Sequence, residues 1–248
     1  MAYFFDNLKN NFDFSLRKNF SFSRKNYFES PENLEDINTF GLGKKYDLNL
    51  FQPSTRYNYK LNLYFLNVFD KYLSKNSFKN LSILDIGSKN WEYVKSEYLF
   101  FKSVCNDFIL DGIELDSFRL NSRLFNRAEV AKFHTKDLLN ANYISGDLLN
   151  HDKKYDRIIW ILPFVTKYPL IRWGLPLKYF NPEKMLLHAY NLLNKDGEML
   201  IINQGEEEYS IQQGLLSDLN IEYISLGEIE DKLKLFKNKR FCSKIIKD

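Results

Sequence analysis

From residue 82 to the end of the chain, short β-branched apolar runs alternate with helical patterns, and this limits the possible folds more than any other feature. Strands are expected at 82–87, 109–115, 142–146, 156–162, 198–203, 221–226 and 240–246, with helical patterns at 91–103, 117–131, 182–194 and 206–219. The inner runs are apolar on both sides, as strands covered on both faces must be. Pro182 fits the first turn of its helix, and Asn194-Lys195-Asp196-Gly197 reads as the turn that ends it. Such alternation predicts an α/β, Rossmann-like, doubly wound and mostly parallel seven-stranded sheet with helices on both faces. The connection between the last two runs is short enough for a hairpin, so the last strand is expected to be antiparallel.

Ahead of this region, Leu61, Tyr64, Phe65, Val68, Phe69 and Leu73 recur at helical spacing. They predict a helix over 57–73 packed on a sheet edge. Residues 1–50 show no clean periodicity and too few aliphatic side chains for a core of their own. The expected organisation is therefore an N-terminal extension, 1–56, that wraps the main domain or serves as a substrate lid, followed by a Rossmann-like domain, 57–248.

Composition narrows the partners. The net charge of +3 is too small to demand a polyanion. Seven basic residues and no acidic one fall between Lys232 and Lys247, which fits a solvated face or a nucleic-acid patch. The two cysteines, Cys105 and Cys242, form no CxxC pair, which argues against a zinc site or disulfide framework and suits a reducing compartment. His134, His151 and His188 have no metal-ligand spacing, so no metal is expected. The N-terminus lacks the order of a signal peptide, and no apolar run has the ~20 residues of a membrane helix. A soluble cytoplasmic protein without membrane partners is the expectation.

In open α/β sheets, ligands bind beyond the carboxyl ends of the strands where strand order reverses. After the first strand come Asp85, Gly87, Ser88, Lys89 and Asn90, then a helix start. Glycine permits close backbone approach, and the helix start offers free N–H groups. After the second strand, Glu114 or Asp116 can accept ribose hydroxyls. After the third, Asp147 can accept an exocyclic amine while Leu148 covers a purine ring. Each acid alone also suits a turn or a helix cap; their recurrence at successive strand ends favours a shared site.

LDIGSKN at 84–90, GIELD at 112–116, SGDLL at 145–149 with YDRIIW at 155–160, and LLNKDGEMLIIN at 192–203 resemble the class I S-adenosylmethionine-dependent methyltransferases. The resemblance covers roughly residues 60–248. It implies that S-adenosyl-L-methionine is the cofactor, with Asp85 and Gly87 bordering its methionine part, Glu114 on the ribose, and Asp147 with the Leu148 backbone on the adenine; Ser88 and Asn90 of the same turn are the other expected cofactor-binding residues. It also implies an antiparallel final strand. A nicotinamide site is disfavoured, because it wants G-x-G-x-x-G without a carboxylate in the turn. Lys89 departs from the resemblance, since the family turn usually reads Asp-x-Gly-x-Gly. A lysine costs little there at negative φ and about 1 kcal/mol or more at positive φ.

Ile161-Leu162-Pro163-Phe164 only loosely matches the Asn/Asp-Pro-Pro-aromatic motif of amino-group methyltransferases, so no acceptor type follows from it. Candidate substrate residues are Arg172 and Trp173 in the long connection 164–181, and Asn203 and Gln204 after the fifth strand. Glu207 is the candidate catalytic base, although Glu206 to Glu208 also suit the helix dipole. The expected activity is methyl transfer to a small molecule. The alternatives are a non-catalytic methyltransferase-like binding module with a degenerate cofactor turn, and an RNA methyltransferase using the basic C-terminal stretch.

Overall fold

The protein is described by a computed structural model at residues 3–19 and 27–248; residues 1–2 and 20–26 of the N-terminal extension lie outside the described residues. Seven strands form one sheet: β1 Phe78–Ile86, β2 Cys105–Glu114, β3 Ala141–Ser145, β4 Tyr155–Ile161, β5 Leu193–Gln204, β6 Ile224–Ile229 and β7 Arg240–Ile246. Their order is β3-β2-β1-β4-β5-β7-β6, with β7 antiparallel to both neighbours and the other pairings parallel. The expected fold class and antiparallel last strand are therefore present.

Residues alternate between two buried layers. Ile83, Leu110, Ile159 and Leu200 face one cluster, while Leu84, Ile113, Ile158, Met199 and Ile201 face the other. Helices α2 (Arg56–Tyr72) and α3 (Val94–Val104) contribute to the first layer, and α6 (Pro182–Leu192) and α7 (Gly205–Asp218) to the second. Helix α2 thus lies over a face of the sheet, not on its edge. Its N-cap Thr55 accepts a hydrogen bond from the Asn58 N–H, which fixes where it starts.

Two other expectations need correction. The pattern over 117–131 is helical only from Arg127 to Thr135 (α4). Ahead of it, the Asn121 side chain accepts from the N–H groups of Arg123 and Phe125 and closes a turn, and Asn126 with Glu129 forms a reciprocal capping box. The sixth strand begins at Ile224, because Ile221 packs in the core beneath α7.

The extension contains a helix that the sequence did not announce, α1 (Phe4–Asn19). Its inner face is largely polar. Asn10 Nδ2 donates to the carbonyls of Ile171 and Leu175, Asn7 Oδ1 accepts from Leu177 N–H, and Phe14 packs on Leu170, Ile171 and Leu175. Arg17 makes a two-point contact with Asp116, at 3.0 and 3.2 Å, and a third bond to Gly174 O. The partners in the 164–181 connection belong to a strap containing α5 (Lys167–Arg172) and a 3-10 turn at Leu177–Tyr179.

Replacing Arg17 with Ala is expected to weaken this docking by about 1.5–3 kcal/mol, the range for hydrogen bonds to a charged group, because buried Asp116 keeps only the longer 3.6 Å contact to Arg119. Hydrogen exchange should show α1 amides losing protection while the sheet amides keep theirs. Uniform loss across the sheet would refute local release.

Three of the seven cations of the basic C-terminal stretch form ion pairs. Lys232 meets Glu230, Lys239 meets Glu228, and Lys244 meets the buried Glu198, which also holds Arg157. Among the described residues no helix is long and apolar enough to cross a membrane, and no group of three or more His, Cys, Asp or Glu is placed to hold a metal ion.

Candidate functional site

Strand order reverses between β1 and β4, and a cavity of about 460 Å³ opens at the carboxyl ends of the strands there. Its lining comes from the β1 turn (Gly87, Lys89), the ends of β2 and β3 (Glu114, Asp147, Leu148), the end of β4 (Trp160 to Val165), the strap (Trp173, Tyr179) and α7 (Gln212).

The β1 turn is tied down by β2. The N–H groups of Gly87 and Ser88 both donate to Ile113 O, at 2.9 and 3.2 Å, and Lys89 N–H donates to Glu114 Oε2 at 3.0 Å. Tyr143 Oη–H donates to Lys89 O at 2.6 Å. Every second residue then takes a left-handed backbone: φ is +72° at Gly87, +56° at Lys89 and +50° at Trp91. A Cβ at Gly87 would meet nothing within 4 Å, so conformation rather than space favours glycine there. Lys89 adopts the same conformation at a cost of about 1 kcal/mol. Its Nζ stands 4.2 Å from the centroid of the Trp173 ring, a contact that offsets part of that cost. Burial first, and then the nearby Arg127 cation, lower the Lys89 ammonium pKa to about 8.

Below the turn lies a buried acid pair. Asp85 is fully buried; its Oδ2 accepts from Tyr93 Oη–H at 2.8 Å, and its Oδ1 has no hydrogen-bond partner among the described residues. Burial raises its pKa to about 7, against the pull of the Tyr93 bond and with a further push from Glu114. Glu97, also fully buried, accepts from Trp91 Nε1–H at 2.8 Å, and burial and then Asp85 raise its pKa well above the usual carboxylate range.

Glu114 is already engaged by three donors: Lys89 N–H, Asp116 N–H and Arg127 Nη1. Asp147 caps the short 3-10 turn after β3 through Leu149 N–H. Asp116 serves Arg17 and not the cavity, so α1 is anchored to the end of β2.

Of the residues expected at the site, Gly87, Glu114, Asp147, Leu148 and Trp173 line the cavity together. Asp85, Ser88 and Asn90 do not; Asp85 and Ser88 are buried beneath it. Arg172 is exposed, with its guanidinium 5.9 Å from the Tyr168 ring centroid. Gln204 accepts from Arg240, and Asn203 is buried with both amide atoms unpartnered among the described residues. Glu207 is exposed in the first turn of α7, outside the lining, and favours that helix end by charge. Sequence reasoning missed Arg127, Gln212 and Trp91. None of the three carried a motif in the sequence; the left-handed repeat that includes Trp91 is visible only in the backbone.

No protein-family model matches the chain, and no curated protein matches it. Solved structures do. An S-adenosylmethionine-dependent methyltransferase from Aquifex aeolicus aligns with a TM-score of 0.53 at 15% identity, over 85% of this chain and 100% of that one. The precorrin-6y C5,15-methyltransferase from Geobacter metallireducens aligns with a TM-score of 0.50 at 12% identity, over 73% of this chain and 88% of that one. The cyclase SpnF aligns with a TM-score of 0.53 at 7% identity, over 73% of this chain and 81% of that one. The chain therefore has the Rossmann-like class I methyltransferase fold. A cyclase also has a similar fold, so the fold alone does not assign the activity.

Proposed function

We propose that the protein binds S-adenosyl-L-methionine in the strand-end cavity and transfers its methyl group to a small molecule. One observation carries this reading: Gly87 and Lys89, the left-handed residues of the β1 turn, border the same cavity as Glu114 and Asp147. The residues present fit the cofactor. A cavity of about 460 Å³ suits a ligand of this size, and Gln212 Nε2, a buried donor on its wall, has no partner among the described residues.

In this reading Gly87 lets backbone approach the methionine part. Glu114 keeps about one of its four acceptor directions for a ribose hydroxyl. Asp147 and Leu148 take the adenine. When bound, the cofactor supplies a methyl group on a sulfonium. The acids on the cavity wall are Glu114 and Asp147, each already hydrogen-bonded, so the chain contributes alignment and water exclusion by Trp160, Phe164 and Met185 more than a base. Helix α1 and the strap act as a substrate lid, and the buried free thiols suit a cytoplasmic setting.

Calorimetry and thermal shift with S-adenosylmethionine and S-adenosylhomocysteine test the reading. Saturable heat with a raised Tm is expected; no heat and no shift at millimolar ligand would sink it. That result would favour a non-catalytic binding module, for which the Lys89–Trp173 and Arg127–Glu114 contacts across the site speak. For the RNA reading, three of the seven cations of the C-terminal stretch are already held in ion pairs, which leaves fewer charges for a phosphate backbone.

A further inference from the structure

Lys89 is a partly buried cation on the wall of this cavity. Among the described residues it forms no ion pair; its recorded side-chain contact is the face of Trp173. The other cations on the wall differ. Arg127 is neutralised by Glu114 at 2.8 Å, and Lys178 and Lys184 are exposed. Lys89 is half-buried, and burial and then the Arg127 cation push its ammonium pKa down, against the pull of the Glu114 carboxylate. Its backbone is strained at φ +56°, where glycine would sit freely. An aromatic face holds a cation more weakly than a carboxylate does in a desolvated site. The Lys89 ammonium can therefore exchange Trp173 for an anion entering the cavity.

We propose that Lys89 is the carboxylate-holding residue of the site, pairing with the amino-acid carboxylate of the bound cofactor. This rests on the cofactor reading above, in which that carboxylate is the ligand's one anionic group. It turns the departure from the glycine pattern into a binding contact: the turn keeps its left-handed backbone, and the side chain gains a partner.

The test compares S-adenosylhomocysteine with its decarboxylated analogue, which keeps the nucleoside, thioether and amine. Both are titrated calorimetrically into full-length wild type, Lys89→Met and Lys89→Arg. Wild type is expected to prefer the carboxylate ligand by about tenfold or more, the scale of one charge-assisted hydrogen bond. Lys89→Met should erase most of that preference while binding the decarboxylated analogue within about twofold of wild type, and Lys89→Arg should retain the preference. Unchanged binding of the decarboxylated analogue also shows that the Met variant is folded. If S-adenosylhomocysteine binds wild type but the preference survives in Lys89→Met, this proposal is overturned and the cofactor reading stands. If neither ligand binds wild type, both fall.

Discussion

Gly112→Ala is expected to lower the free energy of unfolding by about 3 kcal/mol, at the top of the range for overpacking a core. Gly112 lies in β2, opposite Asp85 in the parallel ladder. A Cβ there would stand 2.7 Å from Trp91 Cζ2 and 2.8 Å from Cε2 and Cη2. The indole is a rigid ring, fully buried, and cannot give way like the end of a flexible chain. If it rotates, Glu97 loses the donor at 2.8 Å that helps it tolerate burial. If it stays, the strand must move and disturb the register beside the β1 turn. Denaturant unfolding should show a lower midpoint with an unchanged slope. Trp91→Leu supplies the control: in the double variant the smaller side chain makes room for the new methyl, so the combined loss should fall well short of the sum. A cost below about 1 kcal/mol for Gly112→Ala alone would mean that the indole does not fill this space.

This contact shows where the sequence was legible and where it was not. A glycine inside a strand often marks close approach of another group, but nothing in GIELD says that the group is Trp91. The inner strands were readable because burial on both faces writes β-branched runs such as Ile83 to Ile86 and Ile158 to Ile161. Gly87, Glu114 and Asp147 were readable as a set because parallel strands bring their carboxyl ends to one rim. Helix α1 was not. Its docked face is Asn7, Asn10, Phe14 and Arg17, while Phe5, Leu8 and Phe12 are exposed. Its contacts are hydrogen bonds to strap carbonyls, and a search for apolar periodicity passes over such a face. The capping box at Asn126 and Glu129 did stand in the sequence as N-x-x-E; given its proper weight, it would have moved the start of α4. Lys89 illustrates a further limit. Its left-handed backbone follows from the pull of Glu114 and Tyr143 on the turn, a tertiary cause that overrides the residue's own preference.

Asp85→Asn should stabilise the protein at pH 8 relative to pH 4.5, with a difference of about 2–4 kcal/mol between its effects at the two values. The folded-state pKa is raised to about 7 by burial, against about 3.9 in the unfolded chain. The folded protein therefore holds a proton that the unfolded chain has released. The stability linked to that proton is complete below about pH 4, declines as pH rises toward 7, and is absent above it. Asparagine does not titrate, so its advantage over aspartate grows through this window and then stays level. The carbonyl of the introduced amide can still accept from Tyr93 Oη–H, while its NH₂ group would take the place of the unpartnered Oδ1. That NH₂ group costs about 1–3 kcal/mol if it finds no acceptor, but the cost is the same at every pH and leaves the slope unchanged. Glu97 is the neighbour that can blur the result, because its own pKa is raised by burial and then by Asp85. Neutralising Asp85 should let Glu97 ionise at lower pH, so Asp85→Asn in a Glu97→Gln background isolates the single titration. A pH-independent difference between wild type and Asp85→Asn would show that the carboxyl is not burial-shifted. If the stabilised variant also binds S-adenosylhomocysteine more weakly, the buried acid is a strained group kept for the site at the expense of stability. If binding is unchanged, Asp85 supports the turn only through Tyr93.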